Sequence, residues 1–190
     1  MIGPIAPNTV SDMSQNGSLE ISPATRADVP LILALVGELA DYEKLKHEAV
    51  ATEESVAAAL FGARPTAEAV IARADGKAAG FALFFHNFST FVGKPGLYLE
   101  DLFVRPEFRG RAVGKSLLCY LAALAVSRGC GRFEWQVLDW NKPARDFYES
   151  LGARANSAWI NYRMTGEALA KLAALSPMTG AAGGSARPGS

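Results

Sequence analysis

Hydrophobic positions along this chain alternate between a spacing of two and a spacing of three to four, and each change of period marks a predicted element. LEISPAT (19–25) reads as a strand. Asp28 is expected to cap a helix with Pro30 in its first turn and Ile32, Leu35, Val36 and Leu39 at helical spacing. A second helix is expected from Thr52, carrying Val56 and Leu60 and stopping at Gly62. AVIARA (69–74), the pair Asp75-Gly76 and AAGFALFFH (78–86) carry the signature of a hairpin. LYLEDLFV (97–104) is a further strand, and a helix follows from about Gly114 to Arg128, with Leu117, Leu118, Leu121 and Leu124 inward and Gly129 ending it. RFEWQVL (132–138) alternates, with Phe133, Trp135 and Val137 on one face. A short helix is expected from Pro143 to Leu151, stopping at Gly152, and AWINYRM (158–164) is the last expected strand. Hairpin strands followed by strand–helix–strand units predict an α/β or α+β fold, with a mixed sheet and helices on both faces.

The two ends lack this periodicity. Residues 1–17 and 176–190 are rich in Gly, Pro, Ser and Asn or Ala, so both are expected to be flexible tails around one domain at 18–175. No internal repeat is visible. With 190 residues, the chain is long enough for one substantial core. Its 19 basic and 19 acidic side chains cancel, which argues against a nucleic-acid or anionic-membrane partner. No apolar stretch reaches the roughly 20 residues of a membrane span, and the N-terminus lacks a basic segment followed by an apolar core. Cys119 and Cys130 show no metal-ligand spacing and read as reduced thiols. A soluble, cytoplasmic protein without a metal is expected.

The segment RPEFRGRAVG (105–114) joins the apolar strand to the leucine-rich helix. A helix that starts there leaves its first amides unpaired, and with the helix dipole these amides can hold an anion. Gly110 and Gly114 allow close backbone approach, and Arg109 and Arg111 add charge. An ordinary glycine-bearing loop with solvated arginines is the alternative. G-x-x-x-x-G-K-[ST] and G-x-G-x-x-G are both absent, so a P-loop and a dinucleotide fingerprint are excluded. Just upstream, Glu100 and Asp101 lie side by side within an apolar strand. Their side chains should point to opposite faces unless a bulge intervenes. A half-buried carboxylate there would have a raised pKa suited to proton removal; one salt-bridged and one solvated carboxylate is the alternative.

Taken together, LEDLFVRPEFRGRAVG, VLDWNKPARDFYESLGA and the early PATRADVPLILALVGELADYEKL resemble the GNAT acetyltransferase superfamily, and most of all its diamine (polyamine) and thialysine acetyltransferase branch. The resemblance runs from about Leu19 to Leu172. It implies a GNAT fold whose splayed central strands hold acetyl-CoA. The family's R-x-x-G-x-G/A pattern falls on Arg109 to Gly114, so Arg109, Gly110, Arg111, Ala112, Val113, Gly114 and Lys115 would surround the pyrophosphate, with Ala112 standing where the family has glycine. Leu102, Phe103 and Val104 would offer backbone groups to the pantetheine arm, and Asn141, Pro143 and Ala144 would line the cofactor's other side.

Acetyl transfer to an amine requires a proton acceptor for the ammonium and a donor for the sulfur. By the resemblance, Glu100 is the base and Tyr148 the donor. Tyr42, Glu43, Asp101, Glu134, Trp135 and Gln136 would line the site of a small cationic amine, through ion pairs and cation–π contacts. The loop RANSAW lacks the carboxylate the branch carries after its tyrosine, which weakens the case for long polyamines and leaves thialysine-like or other small amines open. The branch also implies a homodimer paired through C-terminal strands. The rival readings are acetylation of a protein amine or aminoglycoside, a silent acyl-CoA-binding regulator, and a GNAT fold used as a scaffold.

Overall fold

The computed structural model describes residues 18–176, so the expected tails lie, apart from Ser176, outside the described residues. The chain divides into two compact units, one reaching Leu138 and the other starting at Asp139.

The first unit is built on a five-stranded sheet in the order β1 (Leu19–Pro23), β2 (Glu68–Ala74), β3 (Lys77–Ser89), β4 (Lys94–Val104) and β5 (Arg132–Trp135). The first four strands are antiparallel, and β5 joins β4 in parallel. The β2–β3 hairpin turns at Asp75-Gly76 with φ of 52° and 74°, the pair of positive φ values that a two-residue turn needs to match strand twist. Helix α1 (Val29–Glu43) and α2 (Glu53–Phe61) cover one face, where Ile32, Leu35 and Leu60 pack with Ala69, Ile71, Phe81 and Phe103. Helix α3 (Val113–Ser127) packs against β3 and β4. Val70, Ala82 and Phe84, which alternate with the first set, are also buried, so both faces of the sheet are covered.

Two local expectations are corrected here. Asp28 does not cap α1 with its side chain. A short 3-10 turn (Arg26–Asp28) precedes the helix, and Asp28 Oδ2 accepts from Thr25 N and Oγ1 at 2.8 and 2.7 Å, while Oδ1 accepts from Arg73 at 2.6 Å. Its carboxylate is therefore committed to closing that turn and to β2. The strand expected over 132–138 ends at Trp135, because its parallel partner β4 is matched only as far as Leu99.

The second unit contains α4 (Lys142–Ser150) and α5 (Gly166–Ala174). The α4 helix agrees with expectation, but α5 was not anticipated. The strand expected over 158–164 is absent: no described strand pairs with this stretch, and Trp159, Ile160 and Tyr162 are exposed. Alternating apolar residues make a strand only where a ladder partner satisfies the backbone.

Candidate active site

The site starts from an irregularity in β4. Leu83 of β3 stands opposite Asp101, and the next residue, Phe84, stands opposite Leu99. Glu100 is thus an extra, unpaired residue, the mark of a β-bulge. Cross-strand partners share a face, so the bulge switches the strand over. Before it, Leu97 and Leu99 lie with Phe84. After it, Asp101 and Phe103 lie with Leu83 and Phe81, on the side covered by α1 and α2.

Burial and charge follow from this switch. Glu100 is exposed, which corrects the expectation of a half-buried carboxylate at that position. Asp101 is the withdrawn one: burial first, then the charges of Glu100 and Glu43, push its carboxyl up to about 6. Glu43, in the last turn of α1, is also raised by burial. Among the described residues none of these three carboxylates has a cationic partner. The structure therefore brings Glu43, Glu100 and Asp101 together, and their neighbour Tyr42 belongs to the same helix end.

Beyond Leu99 the parallel ladder stops, so the edge of β4 from Glu100 to Val104 faces no strand on the β5 side among the described residues. This edge holds Leu102, Phe103 and Val104. It leads into Arg105, whose guanidinium donates to both carboxylate oxygens of Glu38 (2.7–3.2 Å) and to Ala78 O at 3.1 Å. Arg105 thereby ties the junction to α1 and β3, a structural task that the sequence pattern did not separate from that of the other arginines. Phe108 and Val113 anchor the loop by burial.

Between these anchors Gly110 and Ala112 adopt φ of 76° and 59°, and α3 begins with no side chain capping its amides. Left-handed residues before an uncapped helix are the backbone setting in which anions are held. Arg111 extends to Asp75 at 2.9 Å, and Arg109 donates to Val104 O at 3.0 Å while lying 4.7 Å from the Tyr42 ring centroid. Gly114 and the exposed Lys115 open the helix. A free strand edge running into an uncapped helix N-terminus fits an extended arm ending in a pyrophosphate, so these residues suit acetyl-CoA.

On β5, Glu134 stands level with Tyr98 and Trp135 with Leu99, while Gln136 lies past the strand and is exposed. Tyr98, Phe85, Asn87 and Arg132 share the Glu134 side, with Phe85 and Tyr98 ring centroids 5.0 Å apart. Sequence reasoning missed these four. Period-two counting back from Asp101 leads to Leu99 and Leu97, and only the bulge puts Tyr98 on the Asp101 side, so no spacing along the chain signalled them. In the second unit, Asn141 is 7% exposed and its Oδ1 accepts from Ala144 N at 3.3 Å, capping α4. Pro143 and Ala144 form the first turn of that helix, and Tyr148 sits on it with its ring 5.5 Å from Phe147.

The chain is similar to known proteins along most of its length. The pattern of the acetyltransferase (GNAT) family matches residues 37–153. A thialysine N-epsilon-acetyltransferase of Sus scrofa is 37% identical over 82% of this chain and 98% of its own length. The L-ornithine N5-acetyltransferase NATA1 of Arabidopsis thaliana is 34% identical over 86% and 92% of the two chains. An integron cassette protein from the mobile metagenome of V. cholerae has a similar structure, with a TM-score of 0.70 and 29% identity over 82% of this chain and 97% of that one. The chain therefore belongs to the acetyltransferase (GNAT) family.

Proposed function

We propose that the protein moves an acetyl group from acetyl-CoA to the primary amine of a small cationic acceptor, of the diamine, polyamine or thialysine-like kind. The observation that carries this reading is the set of three carboxylates, Glu43, Glu100 and Asp101, that have no cationic partner among the described residues and lie beside the β4 edge that no described strand pairs on the β5 side. Such a cluster attracts an ammonium and gives its proton somewhere to go. When bound, acetyl-CoA supplies the thioester carbonyl that the amine attacks.

The protein's own residues do the rest. Loop 109–114 and the first amides of α3 hold the pyrophosphate, and the Leu102–Val104 edge aligns the arm. Glu43 and Asp101 hold the cationic acceptor. Glu100, exposed at the bulge, takes the proton from the reacting ammonium, because only the neutral amine is a nucleophile. Tyr148, assigned through the resemblance, gives a proton to the sulfur. The exposed stretch 158–164, with Trp159, Ile160 and Tyr162, supports a homodimer paired through this segment. The two free thiols, Cys119 and Cys130, suit a reducing cytoplasm.

The test is CoA-thiol release from acetyl-CoA with a panel of amines. Acceptors that carry a second ammonium should outcompete amines of equal length whose tail bears no charged group, and salt should shrink the difference. Glu100→Gln should slow the reaction by roughly 10²–10⁴-fold at neutral pH, and raising the pH should recover part of the loss. Tyr148→Phe should lower kcat more than it changes the acceptor KM. Preference for uncharged or anionic acceptors would sink the acceptor assignment, and a Glu100→Gln rate matching wild type at every pH would make Glu100 structural.

A further inference from the structure

The face that carries Asp101 continues along β3, β4 and β5 to a second charged group. Asn87, Gly96 and Arg132 are register partners in one row across the three strands, and Phe85, Tyr98 and Glu134 form the next row. Arg132 Nε lies 2.7 Å from Glu134 Oε2, and Asn87 Nδ2 donates to the same oxygen at 3.2 Å. Gly96 makes the meeting possible. A Cβ there would stand 2.3 Å from Asn87 Oδ1 and 3.2 Å from Arg132 Nε, so any larger residue would drive the two side chains apart.

Stability does not account for this group. Asn87 Oδ1 and Arg132 Nε are shut off from solvent without a hydrogen-bond partner, since the Nε–H is not directed at Glu134 despite the short N···O separation. Buried polar atoms are normally paired, and leaving them unpaired is unfavourable. The two side chains as a whole nevertheless stay partly open, with exposures of 37% for Arg132 and 36% for Glu134. A guanidinium and a carboxylate are therefore held side by side on a partly open face.

The spacing to the bulge is short. Glu134 is level with Tyr98 and hence Phe85, and Asp101 is level with Leu83, two residues along β3. Two residues of strand span about 7 Å and neighbouring strands lie about 4.8 Å apart, so the two backbone positions are roughly 8–9 Å apart, with both side chains reaching over the face between them. Five or six single bonds of about 1.5 Å separate the two nitrogens of an α,ω-diamino acid, an extended reach of roughly 6–8 Å.

We infer that Arg132 and Glu134, positioned by Asn87 over Gly96, bind the α-carboxylate and α-ammonium of a diamino acid whose side-chain amine is acetylated. This rests on the reading that a small amine is deprotonated at the Glu100–Asp101 bulge. Arg132 offers a planar fork matched to a carboxylate, and Glu134 pairs with the adjacent ammonium. A diamine lacking the carboxylate leaves Arg132 unmatched and sets an ammonium beside a guanidinium, so the pair selects against it.

The experiment compares kcat/KM for an α,ω-diamino acid (lysine, ornithine or thialysine) with that for the decarboxylated diamine of the same chain. Wild-type protein should favour the amino acid by at least about tenfold, and Arg132→Gln should lower that ratio by about tenfold, the scale of one lost charge-assisted hydrogen bond. A wild-type preference for the diamine, or a ratio untouched by Arg132→Gln, overturns the inference. A measurement on unaltered protein guards against a variant that folds poorly. Norleucine, which has the α-groups but no side-chain amine, should inhibit competitively against the acceptor, and pentylamine should do so several-fold less well. Equal inhibition by the two overturns the inference. Turnover of both acceptors without preference removes only the α-site, whereas turnover of neither removes the small-amine reading beneath it.

Discussion

Ala112→Gly tests whether the loop is shaped for an anion at a cost to the fold. Ala112 immediately precedes α3 with φ of 59° and ψ of 5°, and its side chain is exposed. A non-glycine residue in the left-handed region loses about 1–2 kcal/mol to the clash of its Cβ. Glycine relieves that clash but gives the unfolded chain extra freedom worth about 0.4–1 kcal/mol. An exposed methyl contributes little packing, and glycine is a better helix N-cap residue than alanine. The net expectation is a gain of about 0.5–1 kcal/mol, which for a chain of this size raises Tm by roughly 1–4 °C. Paired thermal and urea denaturation of wild type and variant reads this gain, and calorimetry with CoA reads the site. CoA affinity should be kept or improved, because the backbone path is the one glycine prefers. A variant of lower Tm would refute the reasoning, showing that the Ala112 methyl supports the loop rather than straining it.

Two further predictions follow from the carboxylates and from the exposed segment. The Asp101 carboxyl is raised from 3.8 to about 6, so the folded state binds its proton more tightly than the unfolded chain; that contribution is complete below about pH 4 and is lost as pH rises through about 6. Asp101→Asn should therefore be more stable than wild type at pH 7–8 by about 2–3 kcal/mol, with the difference vanishing near pH 4, and equal pH–stability curves would refute the assignment. Sedimentation should find a dimer, and Ile160→Asp with Tyr162→Asp should shift it toward monomer; a wild-type monomer at micromolar concentration would count against pairing through 158–164.

Much of this was readable in the chain, for reasons that also explain what was not. Local signals performed well where they act locally: Asp75-Gly76 makes its hairpin turn, Thr52 and Gly62 bracket α2, and Pro143 with Gly152 brackets α4. The charged loop before α3 stood out because arginines and glycines interrupt two apolar runs, and an anion site was one of the two readings left open there. Features that depend on a partner were hidden. RFEWQVL alternates over seven residues, but only the four matched by β4 become strand. AWINYRM alternates equally well and becomes none. Arg105, Arg109 and Arg111 look alike in sequence, yet one locks Glu38, one reaches Val104 and Tyr42, and one reaches Asp75. The Asn87–Glu134–Arg132 contact joins three strands across a glycine, and no spacing along the chain encodes it.

The bulge at Glu100 explains why two adjacent carboxylates can occupy an apolar strand at all. Unbroken alternation would place Asp101 on the side of Leu97 and Leu99, among residues at most 2% exposed. An unpaired carboxylate there would meet the full penalty of burial, and its pKa would climb until it stayed neutral. The inserted residue instead carries Asp101 to the α1 side, near Glu43, where its carboxyl rises only to about 6 and still ionises at neutral pH. The register break coincides with the end of the β4–β5 ladder, since Leu99 is the last residue matched to β5. A bend at that point carries the following residues off the β5 register. One extra residue thus keeps the Leu97–Leu99 side of the sheet free of charge, and it coincides with the end of the matched β4 edge that the proposed acceptor and cofactor sites would use. On the proposed function these requirements meet at Glu100, which places the strand's chemistry at its least regular position.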